Sequence, residues 1–479
     1  MKSDYNEFLY KKTHIGTRDG FEPYFMPDWM FDFQKYLLEW AVLRGRGAIF
    51  ADCGMGKTPI QLAWAENVVR HTNGRVLILT PLAVSVQTEK EAEKFGIDAR
   101  RSHDGNLNGN IVITNYEQLH RFNSKDFVGV VCDESSILKS YSGKTQKLVT
   151  RFVSKHKYRL LCTATAAPND YVELGTSSEA LGDLTYSDMI KSFFRQLDNK
   201  GQKLELKLQE RAERIIAFDN NYYQKLAYRV AQTIGQYRLR HHAVIPFWRW
   251  VASWSRACRK PSDLGFSDDL FVLPELLEQD HVITPNSPPD GYLFNLPANG
   301  LGEERAERKR TIKERCECVA NLVDHNKSAV VWCHYNPEGD MLEKIIPDAV
   351  QIKGATPDER KIEIYNDFAS GNIRVLVIKP KIGAWGLNWQ HCNHTVTFPS
   401  HSFEQHYQLI HRFWRFGQKN PVKVDVVASE GEVRVLANMR SKAEKAARMF
   451  DAIIQEMNNA ENRSQINKFT QKMEVPSWL

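Results

Sequence analysis

Short apolar runs alternate with longer amphipathic stretches over two parts of the chain and stop doing so in between. In the first part the runs are Gly47 to Phe50, Val76 to Leu79, Ile111 to Ile113, Val128 to Cys132 and Tyr158 to Cys162. They are continuously apolar rather than alternating, as expected of strands buried on both faces. A helix is predicted over Phe31 to Leu43, where Phe33, Tyr36, Leu37, Trp40 and Ala41 recur at helical spacing, and helix-like stretches follow each strand. The pattern resumes with Ala329 to Cys333, Val350 to Ile352, Arg374 to Ile378, Thr395 to Phe398 and Val422 to Val427. Strands alternating with helices imply parallel sheets covered on both faces, with ligands gathering at the C-terminal strand ends. The expected architecture is α/β: an N-terminal extension over 1–30, a first parallel-sheet domain over 31–183, a mainly helical insertion and linker over 184–302, and a second parallel-sheet domain with a C-terminal helical segment over 303–479. Within the linker, Gly265 to Pro297 is rich in Pro, Asp, Asn and Gly and reads as extended loops, and Glu303 to Val323 reads as a helix.

The first strand runs into Asp52-Cys53-Gly54-Met55-Gly56-Lys57-Thr58, followed by a helix pattern of Ile60, Ala63, Trp64 and Val68. Strand, glycine turn and helix start form a phosphate cradle. Gly54 and Gly56 let backbone N–H groups approach an anion, Lys57 reaches the outer phosphates, and the Thr58 hydroxyl is offered to Mg²⁺. Upstream, Gln34 has the paired donor and acceptor that read an adenine edge; a solvent-facing helix glutamine is the plain alternative.

Asp133-Glu134 ends another predicted strand. Adjacent carboxylates there suit two jobs beside a phosphate loop: Asp133 holds Mg²⁺, and Glu134 polarises the attacking water. An N-cap pair at a helix start is the alternative. Thr163-Ala164-Thr165 ends a fifth strand, where its hydroxyls either sense the γ-phosphate or only make a turn. In the second domain, Arg412 and Arg415 lie three apart and on a helix would share a face. They read either as cations aimed into one cleft or as solvated surface arginines.

The middle region interleaves bases with rings: Tyr237-Arg238-Leu239-Arg240-His241-His242, then Phe247-Trp248-Arg249-Trp250. Cations for phosphates and rings for stacking make Arg249 and Trp250 candidate nucleic-acid contacts. A helix with tryptophans packed inward and arginines solvated is the other reading.

Composition narrows the class. The chain has 479 residues, 42% apolar and 25% charged, with a net charge of +6 spread along its length. That suits a globular protein of two or three domains and fits a polyanionic partner without demanding one. Eight cysteines, mostly inside apolar runs, imply reduced buried thiols, and Cys316 with Cys318 lacks the second pair a zinc site needs. No apolar run has the length of a signal peptide or a membrane span, so the expected location is cytoplasmic.

Taken in order, these stretches resemble the motor core of superfamily II helicases, most closely the compact members of the Swi/Snf-like DNA translocase branch. Asp52 to Thr58 resembles the first motif, Thr80-Pro81 and Thr114-Asn115-Tyr116 the strand-gripping motifs, Asp133-Glu134 the acidic motif, and Thr163-Ala164-Thr165 with Pro168-Asn169-Asp170 the third. Gly386-Leu387-Asn388 resembles the fifth, and Gln408, Arg412, Arg415, Gly417 and Gln418 reproduce the spacing of the arginine motif. The resemblance covers about residues 30 to 430. It implies two RecA-like domains, ATP and Mg²⁺, and a partner of duplex or branched DNA, with RNA as the second candidate and no membrane. It also implies Lys57, Glu134, Arg412 and Arg415 as catalytic, Gln34, Gly54, Gly56, Thr58, Asp133, Gly386 and Gln408 at the nucleotide, Thr58 and Asp133 at the metal, and Thr80, Pro81, Thr114 and Asn115 at the nucleic acid. The cell would be bacterial or phage-infected. Alternative activities of this frame are strand separation, an ATP-gated clamp with weak turnover, and displacement of a protein bound on DNA. Two departures stand out: Ser135-Ser136 replaces the usual Ala-His pair, and Lys379-Pro380-Lys381 stands where small hydroxyl residues are common.

Overall fold

The structure is a computed structural model that describes residues 19–82, 84–139, 141, 143–197, 233–234, 237–288, 298, 301–383 and 389–472. It divides into two units, one of Met1–Asp269 with Lys445–Leu479, the other of Leu270–Glu444.

The first unit is built on seven parallel strands: β1 (Arg46–Ala51), β2 (Val76–Thr80), β3 (Ala99–Arg101), β4 (Ile111–Asn115), β5 (Gly129–Asp133), β6 (Tyr158–Thr163) and β10 (Ser255–Cys258), in the order β10-β1-β6-β5-β2-β4-β3. The apolar runs become these strands because helices cover both faces; Ala48 to Ala51 and Val76 to Leu79 are wholly buried. A small antiparallel sheet, β7 (Phe194–Gln196), β8 (Thr233–Ile234) and β9 (Tyr237–Leu239), stands beside it in the order β7-β9-β8.

The second unit has six strands, β11 (Leu276–Ile283), β12 (Ala329–Trp332), β13 (Ala349–Ile352), β14 (Val375–Ile378), β15 (His394–Thr397) and β16 (Val422–Ser429), in the order β11-β16-β15-β12-β14-β13, again all parallel. Strand alternation divides its core in two. Val330, Trp332, Leu376, Ile378, Val424 and Val426 pack on one face, and Ala329, Val331, Val375, Val377, Val396 and Val427 on the other. The expected pair of RecA-like parallel-sheet units is therefore what the chain forms.

The boundaries differ from those expected. The stretch read as a helical insertion contributes strands to both sheets: β10 pairs with β1, and β11 pairs with β16 along its whole length. Ser255–Cys258 is too short and polar to show periodicity. It is drawn to the sheet because the helix before it, Val244–Trp254, buries Phe247, Trp250 and Trp254 in the same core as Phe50. β11, mostly exposed along its length, is an edge strand whose mixed polarity reads as loop. The last helix, Val433–Lys472, carries Met449, Phe450, Ile453 and Met457 into the core of the first unit, so the C-terminal segment belongs there from Lys445 onward. Among the described residues no helix is long and apolar enough to cross a membrane.

Candidate nucleotide site and arginine turn

The phosphate loop leaves β1 at Asp52 and enters the helix Lys57–Thr72. Gly54 and Gly56 have φ of 88° and 78°, the left-handed region that only glycine enters without strain. A Cβ on Gly56 would also lie 2.1 Å from Gln34 Nε2. Gln34 is buried, accepts from the Phe31 N–H at 3.2 Å and donates from Nε2 to the Met55 carbonyl at 3.2 Å. It braces the loop from behind, so both ends of its amide are engaged inside the protein. Lys57 Nζ donates to the Ala51 carbonyl at 3.0 Å and the Asp52 carbonyl at 3.3 Å, closing the loop on itself. Thr58 follows in the first turn, half-buried.

Strand order brings the rest together. β6 lies between β1 and β5, with Thr163 opposite Phe50 in one register and Cys162 opposite Asp133 in the other. Thr163 thus sits between the loop and the acidic pair. Its hydroxyl donates to Glu134 Oε2 at 3.1 Å and accepts from the Thr165 N–H at 3.0 Å. Glu134 has φ of 49°, which for a side chain other than glycine costs on the order of 1 kcal/mol and must be held by its surroundings. Asp133 accepts from Gln61 Nε2 at 2.6 Å, and its backbone carbonyl accepts from the buried Tyr116 hydroxyl at 2.6 Å.

Burial, with repulsion from Glu134, pushes the Asp133 carboxyl up to about 7 against the opposing pull of Gln61 and Lys57. Burial works against the Lys57 charge, but Cys53, Glu134, Asp133 and Asp52 outweigh it and raise its pKa. A charge that is costly to bury is one that a bound cation relieves. Asp133 and the Thr58 hydroxyl are oxygen donors, which suits Mg²⁺, a cation that takes one or two carboxylates and completes its shell with water and phosphate. Cys132, Cys316, Cys333 and Cys392 are all pushed up to about 12, by burial first, which leaves them inert thiols.

The second unit presents its arginines differently from the expected shared helix face. The helix Phe403–Ile410 ends before them, and Arg412 to Gly417 run through successive turns that close with Gly417 at φ of 93°. Gln418 fixes the turn. Its Nε2 donates to the carbonyls of Gln390 at 3.0 Å, Phe413 at 3.2 Å and Cys392 at 3.3 Å, while Oε1 accepts from the N–H groups of Lys419 and Asn420. Such a carboxamide hub replaces helical hydrogen bonding and explains the break. Arg412 is 7% exposed and folds back on Gln408, Nε to the backbone carbonyl at 3.2 Å and Nη2 to Oε1 at 3.0 Å. Arg415 is half-buried in the same turn. Gly386 lies outside the described residues.

The candidate nucleic-acid residues divide. Thr80 is buried at the end of β2, and its hydroxyl has no hydrogen-bond partner among the described residues; Pro81 follows, half-buried. Thr114 donates to the Ser102 carbonyl at 2.9 Å, and Asn115 caps the next turn by accepting from Gln118 N–H at 3.1 Å. Arg249 is exposed and paired with Glu456 at 3.4 Å. Trp250 is corrected: it is 1% exposed, stacked on Phe193 at 5.3 Å and edge-on to Trp254 at 5.5 Å, so it is core. The helix puts its rings inward and its bases outward, because each ring buried is worth about 1.5–3 kcal/mol and a solvated guanidinium costs nothing.

Gln61 escaped the sequence reading, and Tyr116 entered it only within a strand-gripping motif, not as a partner of Asp133. The signal for Gln61 is a glutamine on the apolar face of the loop helix, one turn past Lys57.

Residues 313–417 match the helicase conserved C-terminal domain. The second unit is thus helicase-like from its second helix through the arginine turn. No curated protein matches the chain. Among solved structures, the SWI2/SNF2 ATPase core of Sulfolobus solfataricus in complex with double-stranded DNA is similar at 16% identity over 91% of this chain and 95% of that chain, with a TM-score of 0.38. In its helicase C-terminal match, set on one of two RecA-like parallel sheets, the chain is similar to helicases.

Proposed function

We propose that the protein is a nucleic-acid-stimulated ATPase that moves along duplex or branched DNA. The observation that carries this is the convergence of Lys57, Gln61, Asp133, Glu134 and Thr163 at the C-terminal edge of β1, β6 and β5. Lys57 releases the loop carbonyls to bind the phosphates. Glu134, held at Oε2 by Thr163, takes a proton from the attacking water at its other oxygen, and Gln61 fixes the orientation of Asp133. Thr58 and Asp133 would hold Mg²⁺, which would neutralise phosphate charge. Arg412 leaves Gln408, and with Arg415 meets the charge that develops on the transferred phosphoryl group. An arginine in this role contributes about 10³ to 10⁵ in rate, roughly 4 to 7 kcal/mol of barrier. A term that large makes hydrolysis depend on the second unit, and that dependence couples ATP turnover to stepwise movement. Preference for duplex over single strands rests on the spacing of the arginine motif.

The test is steady-state ATP hydrolysis with no nucleic acid, duplex DNA, a four-way junction, single-stranded DNA and RNA. Duplex or junction DNA is expected to stimulate most. Lys57→Ala should abolish turnover, and Glu134→Gln should lower it about 10² to 10⁴-fold while ATP still binds. Stimulation by single strands or RNA alone would replace translocation with strand separation, and stimulated turnover surviving Lys57→Ala would end the reading.

A further inference from the structure

The small sheet of the first unit carries a charge arrangement that neither the core nor the nucleotide site uses. In the β7–β9 pair, Phe194 lies opposite Leu239, Arg195 opposite Arg238 and Gln196 opposite Tyr237. Alternation gives one face to the core: Phe194 and Leu239 are buried in it, and Tyr237 packs against it. The other face sets Arg195 beside Arg238. Residues directly opposite in an antiparallel pair have Cβ atoms about 4.5–5.5 Å apart, and like charges there oppose folding. Arg195 is exposed, and no carboxylate among the described residues pairs with it.

The positive row continues beyond the pair. Arg240 follows Arg238 on the same side; its backbone N–H donates to the Phe193 carbonyl at 2.9 Å and its Nη1 reaches the Ser192 carbonyl at 3.4 Å. Lys191, on the helix Tyr186–Phe193 that leads into β7, is exposed, as is His241 just past β9. Like charges set side by side in a row weigh against folding. A polyanion gains a great deal, because each phosphate they neutralise releases condensed counterions.

We infer that the outer face of the β7–β9 pair is a phosphate rail, on which Arg195, Arg238 and Arg240 grip the backbone of the nucleic acid outside the nucleotide site. The inference rests on the reading that the protein acts on nucleic acid, and moves the nucleic-acid contact of the middle region from the helix of Arg249 and Trp250 to the small sheet. The rail makes no base contacts, so it binds without regard to sequence.

The test is the affinity of the nucleotide-free protein for a mixed-sequence duplex DNA, measured by fluorescence anisotropy over a salt series. Relative to wild type, Arg195→Gln is expected to make the slope of log affinity against log salt shallower by about 0.9, and Arg195→Gln with Arg238→Gln by about 1.8. Arg195→Lys, which keeps the charge, should restore the slope. Without DNA, the melting temperature of Arg195→Gln should stay level or rise, since a repulsion is removed. If the double variant fails to fold, the exposed single position carries the test. A folded variant with wild-type slope and affinity overturns the rail, as does a lowered melting temperature with an unchanged slope, which marks the pair as structural. Wild-type protein that binds no DNA overturns the nucleic-acid reading too, whereas bound DNA indifferent to both substitutions overturns the rail alone.

Discussion

The two units share a parallel sheet with polar residues at its C-terminal edge, yet they spend buried polarity in opposite ways. In the first unit, Gln61, Tyr116 and Thr163 each hold one member of the acidic pair, and their bonds end on the Asp133 carboxylate, the Asp133 backbone carbonyl and the Glu134 carboxylate. In the second, the buried network serves the fold. Arg315, wholly buried, pairs with Glu338 at 2.9 Å and Glu432 at 3.6 Å, Arg308 pairs with Glu432 at 2.6 Å, and Gln418 ties down a turn. The difference teaches where backbone strain is stored. Glu134 sits in a left-handed backbone conformation beside a carboxyl pushed up to about 7, whereas Arg412 rests in comfortable contact with its own turn.

The comparison breaks most sharply at Arg412. If the second unit supplies charge to the reaction, Arg412→Ala lowers kcat of DNA-stimulated hydrolysis about 10³-fold or more. Gln408→Ala, which removes the Oε1 partner of Nη2 and keeps the backbone carbonyl that accepts from Nε, costs far less. An Arg412→Ala enzyme with wild-type kcat would leave all of the chemistry in the first unit.

A smaller effect is expected at Thr163. Thr163→Val removes one hydrogen bond to Glu134 and should lower kcat about tenfold, the equivalent of about 1.4 kcal/mol, with little change in KM for ATP. Thr163→Ser restores it. An equal loss in the second-unit variant Thr397→Val, whose hydroxyl donates to the Phe398 carbonyl at 3.2 Å, would show that the effect is general to strand ends.

Gln418 tests the structural side. Gln418→Ala leaves several buried backbone groups unpaired and should cost about 2 kcal/mol or more of stability, read as a lowered denaturant midpoint of the second unit. Nucleotide binding by the first unit should be unchanged.

The mildest expectation concerns acid. Burial would raise the Glu278 carboxyl, but His406, at 3.7 Å, and Arg440 outweigh it and hold it at about 2, against 4.5 for the free side chain. A depressed carboxylate stabilises the folded state above its unfolded value and loses that contribution as pH falls through its folded value. Stability of the second unit should therefore decline between about pH 4.5 and pH 2, and Glu278→Gln should flatten that limb in melts across the range.

Much was legible in advance because it is local. Continuous apolar runs announce strands buried on both faces, and ten such runs became strands close to their expected limits. The phosphate loop was legible because strand, glycine turn and helix start are adjacent in sequence. The aromatic-basic helix was half legible: its two faces show at helical spacing, but only packing tells which one turns inward, and Trp250 went to the core.

By itself the sequence determined the alternation of strands and helices, the phosphate loop, the acidic pair and the order of motifs, all of which depend on neighbours in the chain. Tertiary structure alone decided that β6 separates β1 from β5 and so puts Thr163 against Glu134, that Gln61 reaches Asp133, that β10 and β11 join different sheets, and that Arg195 faces Arg238. These are pairings between residues far apart in sequence, fixed by strand order and register. No local propensity encodes them, because the hydrophobic burial that selects strand order acts only once the whole sheet has formed.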